Sequence, residues 1–171
     1  RKLTRKSNTI LRVPTAFIGA CAISSYNLIL KCFKGRHFHT HNITVVDEFD
    51  ERIDELWIRV RDSIPCAQVR NSEYMNWQFK KQDGWIKVVY EEEGKLRGYA
   101  LLSLRQFDDN DRLSGIKALS IIDIMWDFRV PYIFTDLLGW IEGMALKEDV
   151  DVIIASINNM QAKKMLFKNA F

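Results

Sequence analysis

The chain has 171 residues, 47% hydrophobic and 12% aromatic, with a formal net charge of +3. That length buries a core and allows one domain plus an appendage, and three cysteines without a Cys-x-x-Cys pair exclude a disulfide framework or zinc knuckle and fit a reducing, cytoplasmic compartment. Residues 1–40 hold eight of the 25 Lys and Arg and none of the 22 Asp and Glu. The basic end suits a membrane surface, nucleic acid or an acidic partner, but the remainder lacks a polyanion-binding face, so nucleic-acid binding is not expected.

Residues 1–42 read as a basic N-terminal helix and linker region. Val13 to Leu30 carries no charge, but Pro14, Thr15, Ser24, Ser25, Tyr26 and Asn27 dilute its apolar character. The expectation is a helix packing on this domain or on a neighbour, with membrane-surface contact through residues 10–33 as the other reading. Cys21, Cys32 and Cys66 read as small buried hydrophobes. His37, His39 and His41 would share one face of an extended segment, but no carboxylate or cysteine completes a ligand set, so they read as linker and no metal is expected. Opening on Arg1 rather than Met suits an internal fragment.

The folded domain, residues 43–171, begins with a short strand, Ile43 to Val46. Asp50 then opens a helix in which Ile53, Leu56, Trp57 and Val60 recur at helical spacing, and Pro65 ends it. Asn71 or Ser72 caps a second short helix whose Tyr74, Met75 and Trp77 read as core. Trp85 to Glu91 and Leu96 to Gln106 form a hairpin closed by Glu92-Glu93-Gly94-Lys95, with Glu91, Glu92 and Glu93 solvated at its tip. Asp108-Asp109-Asn110-Asp111 reads as a solvated loop, because no glutamate follows at calcium-loop spacing. A long apolar strand follows, Ala118 to Asp127, then a turn at Phe128-Arg129-Val130-Pro131, a helix from Tyr132 to Lys147, a strand from Val150 to Ile157 and a short helix to Phe171. Strand, helix and strand of these lengths predict two neighbouring parallel strands and a crossover helix. The start of that helix, beside Arg129, is a natural anion site.

This order of elements resembles the GCN5-related N-acetyltransferase (GNAT) superfamily, over about residues 43–171. Arg70-Asn71-Ser72-Glu73-Tyr74-Met75-Asn76-Trp77-Gln78-Phe79 also looks like the Arg-Asp-x-x-Tyr-Leu-x-Trp-Arg-Tyr segment of GNAT-like proteins linked with cell-envelope polysaccharides. The resemblance implies an α/β fold with a mixed sheet, here lacking the last strands, so that a neighbouring domain would complete the sheet. It also implies acetyl-CoA or another acyl-CoA as cofactor and a small-molecule or sugar amine as acceptor.

The superfamily's diphosphate loop, Arg/Gln-x-x-Gly-x-Gly/Ala, falls here on Arg129, Tyr132 and Phe134. Both glycines are replaced by aromatics, expected to fill space near the diphosphate, and Pro131 removes a donor. The resemblance places the cofactor against Met125, Trp126, Phe128, Arg129, Val130, Tyr132, Ile133, Phe134 and Asn159. The tyrosine that protonates the leaving thiolate falls on Leu166, which cannot donate a proton. For a general base the choices are Asp123 and Asp127. Asp123 is expected on the same strand face as Leu119, Ile121 and Met125, where apolar burial would raise its pKa, or else as a structural aspartate bonded to a neighbouring amide. Two functions follow: an acyl-CoA-dependent N-acyltransferase, or a non-catalytic GNAT-like binding or scaffolding module.

Overall fold

A computed structural model describes residues 40–64, 67–80, 84–107, 114–157 and 159–168. The expectations for residues 10–33, His37, His39, the three cysteines, Pro65 and Asp108 to Asp111 lie outside them. Among the described residues no helix is long and apolar enough to cross a membrane, and no group of His, Cys, Asp and Glu could hold a metal.

Among the described residues five strands and four α-helices follow a turn of 3-10 helix at Thr40–Asn42: β1 (Ile43–Val46), α1 (Arg52–Val60), α2 (Ser72–Gln78), β2 (Trp85–Glu92), β3 (Lys95–Gln106), β4 (Lys117–Trp126), α3 (Tyr132–Lys147), β5 (Val152–Ala155) and α4 (Met160–Lys168), with a second 3-10 turn at Arg61–Ser63. The strands form one mixed sheet in the order β1-β2-β3-β4-β5. The first three pairings are antiparallel and β4–β5 is parallel, as the crossover reading requires. The β2–β3 hairpin turns through Glu93 and Gly94, both at positive φ (53° and 71°). A two-residue type I′ turn needs that pair of conformations, and its twist matches that of the strands. The fifth strand is shorter than its apolar run, because only Val152–Ala155 pairs with β4.

Each face of the sheet carries its own core. On one face α3 and α4 cover Val88, Tyr90, Ala100, Leu102, Leu119, Ile121 and Trp126. On the other, α1 and α2 cover Val89, Tyr99, Leu101 and Met125, with Ile53 and Leu56 of α1 fully buried. Each such side chain contributes about 1.5–3 kcal/mol through burial. Trp77 departs from the core reading: Met75 is buried, whereas Trp77 is 68% exposed, on the outer side of α2.

Gly98 sets how closely α3 approaches the sheet. A Cβ built there would lie 2.9 Å from Ile133 Cγ2, 3.1 Å from the Met125 carbonyl oxygen and 3.3 Å from Leu137 Cδ1. The backbone oxygen cannot yield as a side chain can, so Gly98→Ala should lower the free energy of unfolding by about 1–3 kcal/mol, read as a shift in the urea midpoint at unchanged slope.

Candidate functional site

The site begins with an irregularity in β4. Leu101 pairs with Asp123, but the next residue of β3, Leu102, pairs with Ile121, so Ile122 is an extra residue. A bulge of this kind reverses the alternation of side chains beyond it. Leu119 and Ile121 therefore face α3 and α4, whereas Asp123 and Met125 face α1 and α2. This corrects the expectation that all four share one face: strict period-two counting fails across the inserted residue.

The bulge also ends the pairing with β5. The ladder runs from Ala118 with Val152 to Ile121 with Ala155, and its last bond is donated by Ser156 N to Ile121 O. Beyond it β4 continues to Trp126, and among the described residues no strand pairs with Asp123 to Trp126 on that side. Asp127 N donates to Arg97 O of β3. Backbone groups alternate sides along a strand, so those of Ile124 and Trp126 turn toward the open edge.

Asp123 is not surrounded by apolar side chains alone. Arg70 donates to it twice, Nε to Oδ2 at 2.6 Å and Nη2 to Oδ1 at 3.1 Å, and Tyr99 donates its hydroxyl to Oδ2 at 2.5 Å. Tyr99 is fully buried, and burial, reinforced by the Asp123 charge, pushes its pKa well above the usual phenol value, so it stays a donor. The Arg70 guanidinium also donates to Gln68 O and lies 5.9 Å over the Trp57 ring. Its pKa stays raised because the Asp123 bonds outweigh the opposing cost of burial.

The segment Arg70 to Phe79 positions this pair. Asn71 Oδ1 caps α2 by accepting from Tyr74 N, and Asp54 of α1 accepts from both the backbone N and the hydroxyl of Ser72. Asn76 pairs with the backbone of Phe49 through both ends of its amide, and Phe79 packs edge-on against Trp85. The buried Lys87 donates to Asn76 Oδ1 and to Asp47 O, and burial lowers its pKa. Between this segment and the bulge lies a cavity of about 250 Å³, lined among others by Gln68, Arg70, Tyr74, Gln78, Ile122 and Asp123.

Asp127 has a different environment, only 2% exposed where β4 meets the turn. It accepts from Arg129 three times, from Nε at 2.8 Å, Nη2 at 2.7 Å and the backbone N at 3.3 Å, and from Arg97 Nη1 at 3.5 Å. The Arg129 bonds hold its carboxyl below the usual carboxylate range, opposed by burial. A carboxylate so stabilised accepts a proton poorly; its geometry is that of a clasp on the turn. Arg129, 72% exposed, is folded back onto it.

The replaced glycines do not crowd this turn. Phe134 is fully buried and packs on Trp126 with ring centroids 4.5 Å apart, and Ile133 is fully buried against Gly98. Both side chains belong to the core beneath α3. Tyr132 leans away to donate to the Glu92 carboxylate at 2.8 Å, which pushes its pKa up to about 12. Glu91 pairs with Arg52 at 2.6 Å, so Glu91 and Glu92 are held by partners rather than free at the hairpin tip. Phe128 stacks edge-on against the buried Trp126, and Val130 N closes the turn on Asp127 O. Asn159 Oδ1 accepts from Gln161 N and Ala162 N and so caps α4. Leu166 is core.

Comparison with solved structures decides the fold. A ribosomal-protein-alanine N-acetyltransferase from Brucella melitensis superposes with a TM-score of 0.53 at 13% identity, over 74% of this chain and 88% of that one. A predicted acetyltransferase from Clostridium acetobutylicum, solved with acetyl-CoA, gives 0.52 at 15% identity, over 75% and 89%. The chain has the GNAT fold. A glucosamine-6-phosphate N-acetyltransferase from Arabidopsis thaliana gives 0.51 at 14% identity, over 75% and 90%. No protein-family model and no curated protein matches the sequence, so the likeness lies in the backbone path. Within this GNAT fold the candidate site comprises three features set along β4: the cavity at Ile122 and Asp123, the edge at Ile124 and Trp126 that no described strand pairs, and the turn at Arg129.

Proposed function

We propose that the chain is an acyl-CoA-dependent N-acyltransferase, in which the open edge of β4 takes the acyl-CoA and the cavity beneath α2 takes an amine acceptor. The observation that carries this reading is the bulge at Ile122. It ends the β4–β5 ladder and leaves the backbone groups of Ile124 and Trp126, beside the start of α3, without a strand partner among the described residues. An acyl-CoA's pantetheine arm carries secondary amides, which pair with a strand edge as another strand would.

The acceptor's neutral amine nitrogen bonds to the thioester carbonyl carbon, the carbon–sulfur bond breaks to release the CoA thiolate, and the proton lost by the nitrogen passes through solvent to that thiolate, leaving an amide and a free thiol. The chain's own contribution is alignment: β4 holds the acyl group on one side of the bulge, and the cavity holds the amine on the other. Met125, Trp126 and Phe128 would contribute backbone and ring surface along the arm, with Asn159 at its α4 side. Arg129 and the first amides of α3 would meet the diphosphate, once Arg129 swings off Asp127.

The second reading, a non-catalytic GNAT-like module, is favoured by that same clasp. Asp127 already occupies the Arg129 guanidinium and backbone N–H that an anion would use, and Leu166, at the position the resemblance gives to the thiolate's proton donor, is an apolar core residue. Calorimetric titration of the full chain with acetyl-CoA separates the two. Saturable micromolar binding, weakened about tenfold by Arg129→Ala, is expected of the enzyme; no heat with acetyl-CoA or a longer acyl-CoA supports the module.

A further inference from the structure

The turn at Arg129 carries an anion of its own. Asp127 engages the Arg129 guanidinium through Nε at 2.8 Å and Nη2 at 2.7 Å, and the backbone N–H at 3.3 Å. Among the described residues Arg129 makes no other side-chain hydrogen bond, and its side chain is 72% exposed. The two partners are therefore not equally free to move. Arg129 can turn into solvent, whereas Asp127, only 2% exposed and tied through its backbone N to Arg97 O, cannot follow. A buried carboxylate left without a cation is strongly destabilised, so the release of Arg129 calls for a replacement.

Arg97 is placed to be that replacement. Its Nη1 lies 3.5 Å from Asp127 Oδ2, longer than a good charged hydrogen bond, and its Nε is buried without a hydrogen-bond partner among the described residues. Its other carboxylate neighbour, Glu93, stands 3.9 Å away and is 81% exposed, so it holds Arg97 weakly. Arg59, anchored on Leu96 O at 2.6 Å, adds its charge to the same corner. Asp127 thus keeps cations on its inner side whichever way Arg129 points.

We infer that Asp127 is an internal competitor for Arg129, and that Arg97 takes over its carboxylate when a diphosphate-bearing ligand draws Arg129 away. Asp127 acts through Arg129 and is a positioning residue, without contact to the reacting atoms. An exposed ion pair of this kind is worth at most about a fivefold factor in an equilibrium, so the competitor lowers anion affinity without abolishing it. The inference rests on the acyltransferase reading for the identity of the ligand, and on the turn's geometry alone for the competition.

Calorimetric titration of the full chain with inorganic pyrophosphate tests the competition, and titration with acetyl-CoA tests the reading. Asp127→Asn should bind pyrophosphate about two- to fivefold more tightly than wild type. In an Arg129→Ala background that gain should disappear, because no guanidinium is left to release. A gain that persists there would come from relieved repulsion between carboxylate and ligand, and overturns the inference, as does Asp127→Asn binding no more tightly than wild type. Arg97→Gln keeps Asp127 and its hold on Arg129, and carries the test should Asp127→Asn fail to unfold cooperatively. It should weaken pyrophosphate binding about two- to fivefold, again only while Arg129 is present. An equal loss in the Arg129→Ala background would mean that Arg97 meets the ligand itself, and overturns the handover. Acetyl-CoA binding no more tightly than pyrophosphate in every variant would sink the acyltransferase reading alone.

Discussion

Arg70→Ala should lower the free energy of unfolding by about 2–3 kcal/mol, among the largest effects of any single side chain outside the two cores. Removing one member of a fully buried ion pair costs about 3–5 kcal/mol, because the other charge stays desolvated without its partner. Here the side chains of Arg70 and Asp123 keep 23% and 21% of their surfaces, so water enters and the cost falls below that range. It does not fall to the level of a surface pair, since Tyr99 holds Asp123 from the core side and prevents it from turning outward. The variant also loses the donor to Gln68 O and the contact with Trp57, which fix the approach to α2. Urea unfolding measures the loss, and a double-mutant cycle with Asp123→Ala should return a coupling of at least about 1 kcal/mol. Independent losses that simply add would show that the pair is held apart in solution.

Asp127→Asn should destabilise the protein by about 1–3 kcal/mol at neutral pH, with a deficit that shrinks in acid. The amide still bridges the turn but removes the charge facing Arg97, whose Nε has no hydrogen-bond partner among the described residues. The exposed Arg129 arm is screened by solvent and adds little. Because Arg129 lowers the folded-state pKa of Asp127 below its unfolded value near ~3.9, its stabilisation is fully present above that pH. It is lost as pH falls through the lower, folded-state value. Wild type should therefore lose its advantage over the variant below about pH 4. Asp50, likewise lowered by Arg52, titrates in the same window in both proteins, so the difference between them isolates Asp127. Thermal melts of both from neutral pH to about pH 2 measure this; a gap independent of pH would mean that Asp127 is not ionised against Arg129.

The fold was legible where one periodicity ran unbroken. The helix Tyr132–Lys147 has the bounds its apolar spacing predicts, and the Glu93-Gly94 turn follows from glycine at the second turn position. The site was less so, because it depends on a break in periodicity. Nothing in Ile121-Ile122-Asp123 marks Ile122 as the inserted residue, since two adjacent isoleucines fit either register. Period-two counting therefore puts Asp123 on the face of Leu119 and Ile121, whereas it lies on the other. Its partners lie 53 and 24 residues away in sequence, and an arginine and a tyrosine carry no local sign of a buried carboxylate. Only the Arg70 to Phe79 segment gave a hint, through its resemblance to a known pattern. Tyr132 and Phe134 show the converse limit: replacing a glycine reveals bulk, but not whether that bulk turns into the core or toward Glu92.

Amide hydrogen exchange of the full chain, with and without acetyl-CoA, tests the open edge of β4 most directly. The account predicts that acetyl-CoA slows exchange at the backbone N–H groups of Ile124 and Trp126, which turn toward the open side, while Asp127 N, already bonded to Arg97 O, changes little. Unchanged exchange at Ile124 and Trp126 under saturating acetyl-CoA would contradict it.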